Sequence, residues 1–155
     1  LLKIKNASKI IPIFHSSNMS LGVNLMLRLV KEASKVLNNW DIEIIEKHHN
    51  KKVDAPSGTA LMIANAIKEV LPSLEYNYGR YGREAKRSEN EIGIHAVRGG
   101  TIVGEHTAIF AGPDDIIEIK HLAQSKEIFA SGSITAAKYL VNQKVGYYNM
   151  DNMLG

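Results

Sequence analysis

The chain has 155 residues, a formal net charge of +3, 45% hydrophobic and 23% charged residues, and no cysteine. Such a composition is ordinary for a folded soluble protein and buries one core, or one domain plus pieces of another. It excludes a disulfide framework and thiolate metal sites, and so mild a basic excess gives nucleic-acid binding no support.

No apolar run approaches the roughly 18 residues of a membrane span, and no signal-peptide pattern opens the chain. A small-molecule partner is therefore expected, with neither nucleic acid nor membrane. The missing cysteines fit a reducing, cytoplasmic setting. The chain begins at Leu1 rather than Met, which reads as a fragment of a longer polypeptide.

Residues 10–14 form a short apolar run that reads as a strand end, with Pro12 arguing for an edge position. The turn-forming stretch 15–20 offers Asn18 or Ser20 as a helix cap. Val23, Met26, Leu27, Val30, Ala33 and Leu37 keep helical spacing, which predicts a helix over 20–37. A strand is expected at 41–47, with Ile42 and Ile44 on one face and Glu43 and Ile45 on the other. A second helix is expected at 57–71, ended by Pro72.

Residues 73–90 are polar and rich in Tyr, Gly and Arg, which predicts a mobile loop or lid. Strands follow at 91–98, 101–110 and 116–122, with hairpin turns at 98–101 and 111–115. A short strand near 126–130 and a helix at 132–144 complete the order, which indicates an α+β fold with a mixed sheet, antiparallel hairpins and packed helices.

The chemistry concentrates in residues 46–60, EKHHNKKVDAPSGTA. His48 and His49 are adjacent in an extended segment, so they point to opposite sides. A metal would need a third ligand from Glu46, Asp54, His95, His106 or His121, and no HxxxH or HExxH spacing supports one. Surface imidazoles at a strand end are the competing reading. Lys51 reads as a solvated charge, whereas Lys52 sits where it can converge with a histidine on one ligand.

Ser57, Gly58 and Thr59 open the second helix. The first-turn N–H groups lack helical partners and the dipole is positive there, which makes a carboxylate or phosphate site. An ordinary N-cap explains the same residues equally well. His95, Glu105 and His106 read as sheet-face or interface residues.

HHNKKVDAPSGTA, together with EIGIHAVRGGTIVGEHTAIFAG at 91–112, resembles the dihydrodipicolinate reductases of bacterial and plant lysine biosynthesis, now called 4-hydroxy-tetrahydrodipicolinate reductases. SSNMSLGVN at 16–24 resembles that family's interdomain segment. The resemblance implies reduction of a cyclic dicarboxylate by NADH or NADPH. It makes His48 the general acid/base candidate and Lys52 a second proton donor, with His49, Gly58 and Thr59, beside Ser57, holding carboxylates. Ser16, Ser17, Asn18 and Met19 would touch the nicotinamide end of the cofactor, with Met19 in place of the usual Phe. No metal is implied.

It further implies a homotetramer joined through the substrate-domain sheet. Residues 1–19 would be the last strand and hinge of a Rossmann-type dinucleotide-binding domain, 20–130 the substrate-binding and oligomerisation domain, and 131–155 a helix returning to the first. No Gly-rich turn after a first strand occurs in the chain, so the adenosine and pyrophosphate ends of a cofactor have no visible site. A non-catalytic oligomerisation or anion-binding role for the isolated fragment is the alternative.

Overall fold

A computed structural model describes residues 1–155. The chain divides into two compact units, one made of residues 1–25 and 125–155 and the other of residues 26–124. No helix is long and apolar enough to cross a membrane.

The first unit contains α1 (Leu2–Ala7), β1 (Pro12–Phe14), α4 (Glu127–Leu140), β7 (Gly146–Tyr148) and α5 (Met150–Leu154). Strands β1 and β7 pair in parallel, Ile13 opposite Tyr147. Tyr139 of α4 meets Phe14 and Tyr148 edge-on, with centroids 6.3 Å and 5.9 Å apart, which seats the helix on this ribbon. The strand expected at 126–130 is instead the first turn of α4. Ile128 and Phe129 favour strands, but Ser125 accepts the Glu127 N–H at 2.9 Å and starts the helix.

Helix α2 (Leu21–Val36) begins in this unit, where Ser20 Oγ accepts the Val23 N–H at 3.2 Å as its cap, and runs into the second. The second unit adds β2 (Asp41–His48), α3 (Gly58–Val70), β3 (Glu75–Asn77), β4 (Glu91–Arg98), β5 (Gly104–Ala111) and β6 (Ile116–Ala123). The sheet order is β3-β4-β2-β5-β6, so β2 is central. It pairs in parallel with β4 and antiparallel with β5.

This order overturns the hairpin expected at 98–101. Strands β4 and β5 are not neighbours, and residues 99–103 carry the chain across the end of β2. Gly99 N–H donates to the His48 carbonyl at 2.9 Å and Asn50 N–H to the Gly100 carbonyl at 3.2 Å, which fixes the crossing beside His48. Gly100 takes φ +46°, a conformation that suits a crossover as well as a hairpin.

One sheet face carries the core. Ile42, Ile44, Ile92, Ile94, Ala108 and Phe110 pack against Met26 and Val30 of α2 and Ala60, Ile63, Ala64 and Ile67 of α3, all essentially buried. The i, i+3, i+4, i+7 spacing in α3 aims four of these at the sheet, each larger side chain contributing roughly 2 kcal/mol.

The opposite face holds the 73–90 segment, which contains β3 and is tied down by ion pairs on the side of the sheet away from His48. Arg80 bridges Glu43 (2.6 Å) and Glu91, while Arg87 reaches Asp41 at 2.8 Å and Glu43 at 3.2 Å. Glu43 also meets His95 Nε2 at 2.6 Å, over Gly93, where a Cβ would overlap its carboxylate. Strand alternation puts Glu43 on the face away from Glu46 and His48, so these arginines tie the segment to the far side.

Candidate active site

Period-2 alternation continues the buried row of β2 from Ile42 and Ile44 into Glu46 and His48. A carboxylate and an imidazole therefore stand where two more apolar side chains would extend the core. Glu46 is fully buried, and three of its four contacts are N–H groups that can only donate. Arg98, opposite His48 in the β2–β4 register, gives it a bidentate pair, Nη2 to Oε1 and Nη1 to Oε2, both 2.7 Å. Ser57 N–H donates to Oε1 at 2.8 Å, and His48 Nδ1 lies 2.6 Å from Oε2. Burial opposes the charge on Glu46, but the hydrogen bonds from Arg98, His48 and Ser57 outweigh it and hold the carboxyl below its ordinary range.

Ser57 caps α3. Its Oγ accepts the Ala60 N–H at 3.2 Å and is hydrogen-bonded to His106 Nε2 at 2.9 Å. With its N–H on Glu46, Ser57 is spent on protein partners and is buried to 2% exposure. The next residue differs: Gly58 is exposed, and a Cβ there would meet no atom within 4 Å, so the helix start opens onto free space. Thr59 follows, half-buried.

His106 lies opposite Glu46 on β5, and its ring stands edge-on to that of His48 at 5.2 Å. Burial pushes it down to about 4, helped by the neighbouring His48. It therefore stays neutral at physiological pH. Lys52, whose charge is also felt at His106, donates to Asp54 Oδ1 at 2.7 Å, and Arg98 Nη2 holds the Asp54 carbonyl at 2.8 Å. These contacts draw the 49–56 loop onto the same end of the sheet.

Comparison with known proteins decides the family. The family description "Dihydrodipicolinate reductase, C-terminus" matches residues 22–154. The chain belongs to the dihydrodipicolinate reductase family. It is 62% identical over 152 residues to the 4-hydroxy-tetrahydrodipicolinate reductase of Caldanaerobacter subterraneus subsp. tengcongensis, covering 97% of this chain and 61% of that protein. The protein of the same name from Clostridium tetani is 57% identical over 153 residues, with 97% and 60% covered. The solved dipicolinate-bound dihydrodipicolinate reductase from Paenisporosarcina sp. TG-14 is similar with a TM-score of 0.77 at 25% identity, over 97% of this chain and 58% of that one. The chain thus spans about three-fifths of the length of these dihydrodipicolinate reductases.

Of the residues expected from sequence to form the site, His48, Ser57 and Gly58 are joined through Glu46 and the α3 start. Lys52 is on the adjoining loop, and His49 is half-buried one residue beyond β2, its carbonyl accepting the Lys52 N–H at 3.1 Å. Ser16, Ser17, Asn18 and Met19 lie in the first unit as a pinned turn. Ser16 Oγ donates to the Asn18 carbonyl at 3.0 Å, Asn24 Nδ2 donates there at 2.9 Å, and Asn18 Oδ1 accepts the Ser20 N–H at 2.9 Å. Ser17 remains exposed.

Sequence reasoning named Glu46 and His106 only as possible metal ligands, not as the partners of His48 and Ser57, and missed Arg98 altogether. The β2 alternation carried the signal for Glu46, because a carboxylate at an inward position must be paired.

The neutral His106 gives a pH prediction. Its folded-state value lies below that of an unfolded histidine, so the unfolded chain binds the extra proton between them. Stability is full above about pH 6.5 and falls as pH drops toward 4, by about 3 kcal/mol in all. Urea unfolding at pH 7 and pH 4.5 should show this loss in the wild type and a flatter dependence in His106→Asn. An unchanged slope in the variant would remove His106 as its source.

Proposed function

We infer that this chain supplies the substrate site and the acid/base groups for NADH- or NADPH-dependent reduction of 4-hydroxy-tetrahydrodipicolinate to tetrahydrodipicolinate, in the diaminopimelate route of lysine biosynthesis. The observation that carries it is the His48 imidazole, oriented by a buried carboxylate and set at the same sheet end as Lys52 and the α3 start.

A cyclic dicarboxylate needs cations and N–H donors for its two carboxylates. Gly58 and Thr59 offer the positive end of a 13-residue helix, and the open space at Gly58 lets a carboxylate come close. His49 and Lys52 add cationic or donor groups from the loop. Dipicolinate, the ligand named for the similar Paenisporosarcina structure, is a diacid of this class. When bound, NADH or NADPH supplies a hydride.

His48 and Lys52 are assigned the proton transfers: loss of the 4-hydroxyl as water puts a proton on the oxygen and releases one from the adjoining ring carbon, and quenching of the hydride-reduced ring takes up the one proton consumed overall. Ser57 serves them indirectly, by capping the helix and fixing Glu46. The Ser16–Met19 turn fits the nicotinamide edge as a rigid polar surface with Ser17 exposed.

In this reading residues 1–19 and 131–155 belong with a dinucleotide-binding domain and 20–130 form the substrate and oligomerisation domain. A homotetramer would use the part of the sheet's second face that lies beyond the 73–90 segment, where Val97, Ile116 and Leu122 stay exposed. A cytoplasmic setting suits the pathway.

Lys52→Ala, made in a reductase of the relatives' full length, should raise KM for the dicarboxylate by about tenfold or more and lower kcat as well. Charge-assisted contacts of this kind are worth roughly 1.5–3 kcal/mol. Steady-state kinetics with freshly generated substrate reads this directly, and an unaltered KM would remove Lys52 from the anion site.

A further inference from the structure

The buried end of β2 fixes which nitrogen of His48 handles the proton. Glu46 has four contacts, and three of them can only donate: two guanidinium N–H groups of Arg98 and the Ser57 backbone N–H. A carboxyl held by three obligate donors in a fully buried position is ionised, and an ionised carboxylate only accepts. The fourth contact, at 2.6 Å, is His48 Nδ1, which must therefore carry a hydrogen.

Nε2 lies on the opposite edge of the ring, over Gly104 of β5, where a Cβ would stand 3.1 Å away. That glycine keeps a side chain off the nitrogen. The other charged or titratable groups nearby are Arg98, already paired to Glu46, Lys52, paired to Asp54, and the neutral His106. None of their contacts reaches Nδ1.

We propose that Glu46 is a positioning residue that locks neutral His48 in the Nδ1–H tautomer, leaving Nε2 as the atom that takes up and releases the proton. Its part in the reaction rests on the reading of His48 as proton donor. In that reaction imidazolium Nε2–H gives its proton to the substrate, the N–H bond breaks, and the ring returns to neutral with Nδ1–H still on Glu46. Solvent then reprotonates Nε2. Because Arg98 cancels the charge of Glu46, the carboxylate contributes orientation more than it attracts a proton.

Glutamine at 46 makes a sharp contrast. If its carbonyl faced His48, its NH2 would confront both Ser57 N–H and Arg98 Nη2. With the amide turned the other way, only Arg98 Nη1 is opposed, and the NH2 donates to a bare Nδ1. Glu46→Gln should therefore convert His48 to the Nε2–H tautomer.

Long-range 1H–15N correlation of the imidazoles in the 15N-labelled chain, above the His48 titration, reads this directly. The expected result is Nδ1–H in the wild type and in Arg98→Lys, which keeps Glu46 in place, with Nε2–H in Glu46→Gln. A wild-type Nε2–H signal for His48 overturns the proposal even if Glu46→Gln does not fold, and so does Nδ1–H persisting in a folded Glu46→Gln.

In a full-length reductase, Glu46→Gln should lower turnover by about 10²-fold or more while dicarboxylate KM changes by less than about threefold. Full turnover with the tautomer reversed overturns the positioning role. Should His48→Gln itself retain full turnover, the proton-donor reading falls while the tautomer assignment stands.

Discussion

Replacing His48 by glutamine in a reductase of the relatives' full length should lower kcat by about 10²–10⁴-fold, the usual contribution of a positioned general acid. Glutamine keeps a polar group of similar reach at the end of β2 and can still meet Glu46, so folding and cofactor affinity should hold. Stopped-flow or steady-state oxidation of NADH or NADPH measures the loss, and nucleotide titration by fluorescence checks the binding. Turnover within a few fold of wild type would exclude the imidazole from the chemistry, whatever its geometry.

Arg98→Met should be strongly destabilising, costing about 3–5 kcal/mol. It strips the bidentate partner from a carboxylate with no solvent exposure and leaves a buried charge uncompensated. The pH dependence carries the sign. In the wild type the Glu46 carboxyl lies below its ordinary value, so it stabilises the fold above about pH 4.5 and that contribution is lost as pH falls through the folded-state value. Without Arg98, burial works largely unopposed, protonation relieves the strain, and the deficit of the variant relative to wild type should shrink as pH falls toward 4. Urea unfolding of both proteins at pH 7 and pH 4 tests this. A deficit below 1 kcal/mol at pH 7 would show that Ser57 and His48 alone suffice for the carboxylate.

Much of this architecture was legible from local pattern. Alternation over 41–47 and helical spacing over 57–71 gave β2 and α3, because each buries one face with the appropriate period. The cluster at 46–60 was legible because residue type and spacing alone place an imidazole, an amine and a helix start close together. Non-local pairing was not legible. Gly99-Gly100 looks the same in a two-residue hairpin and in a crossover, and only the parallel pairing of β4 with β2 tells them apart.

The polar stretch 73–90 concealed β3 and two arginine tethers, since their acidic partners Asp41 and Glu43 come from about 40 residues upstream. Arg98, and His106 as the partner of Ser57, were missed for the same reason: each belongs to the site only through its strand's register with β2. Short elements such as α1, β7 and α5 carry too few residues to set up a period.

In the proposed function, His48, Lys52 and the first residues of α3 serve one dicarboxylate. Titrating dipicolinate into the 15N-labelled chain, with assigned backbone amides and imidazoles, tests it most directly. Gly58, Thr59 and the His48 ring should shift together along one saturating curve, which Lys52→Ala moves to higher concentration. Saturable binding that leaves those three signals in place would contradict it, as would the absence of binding at millimolar dipicolinate.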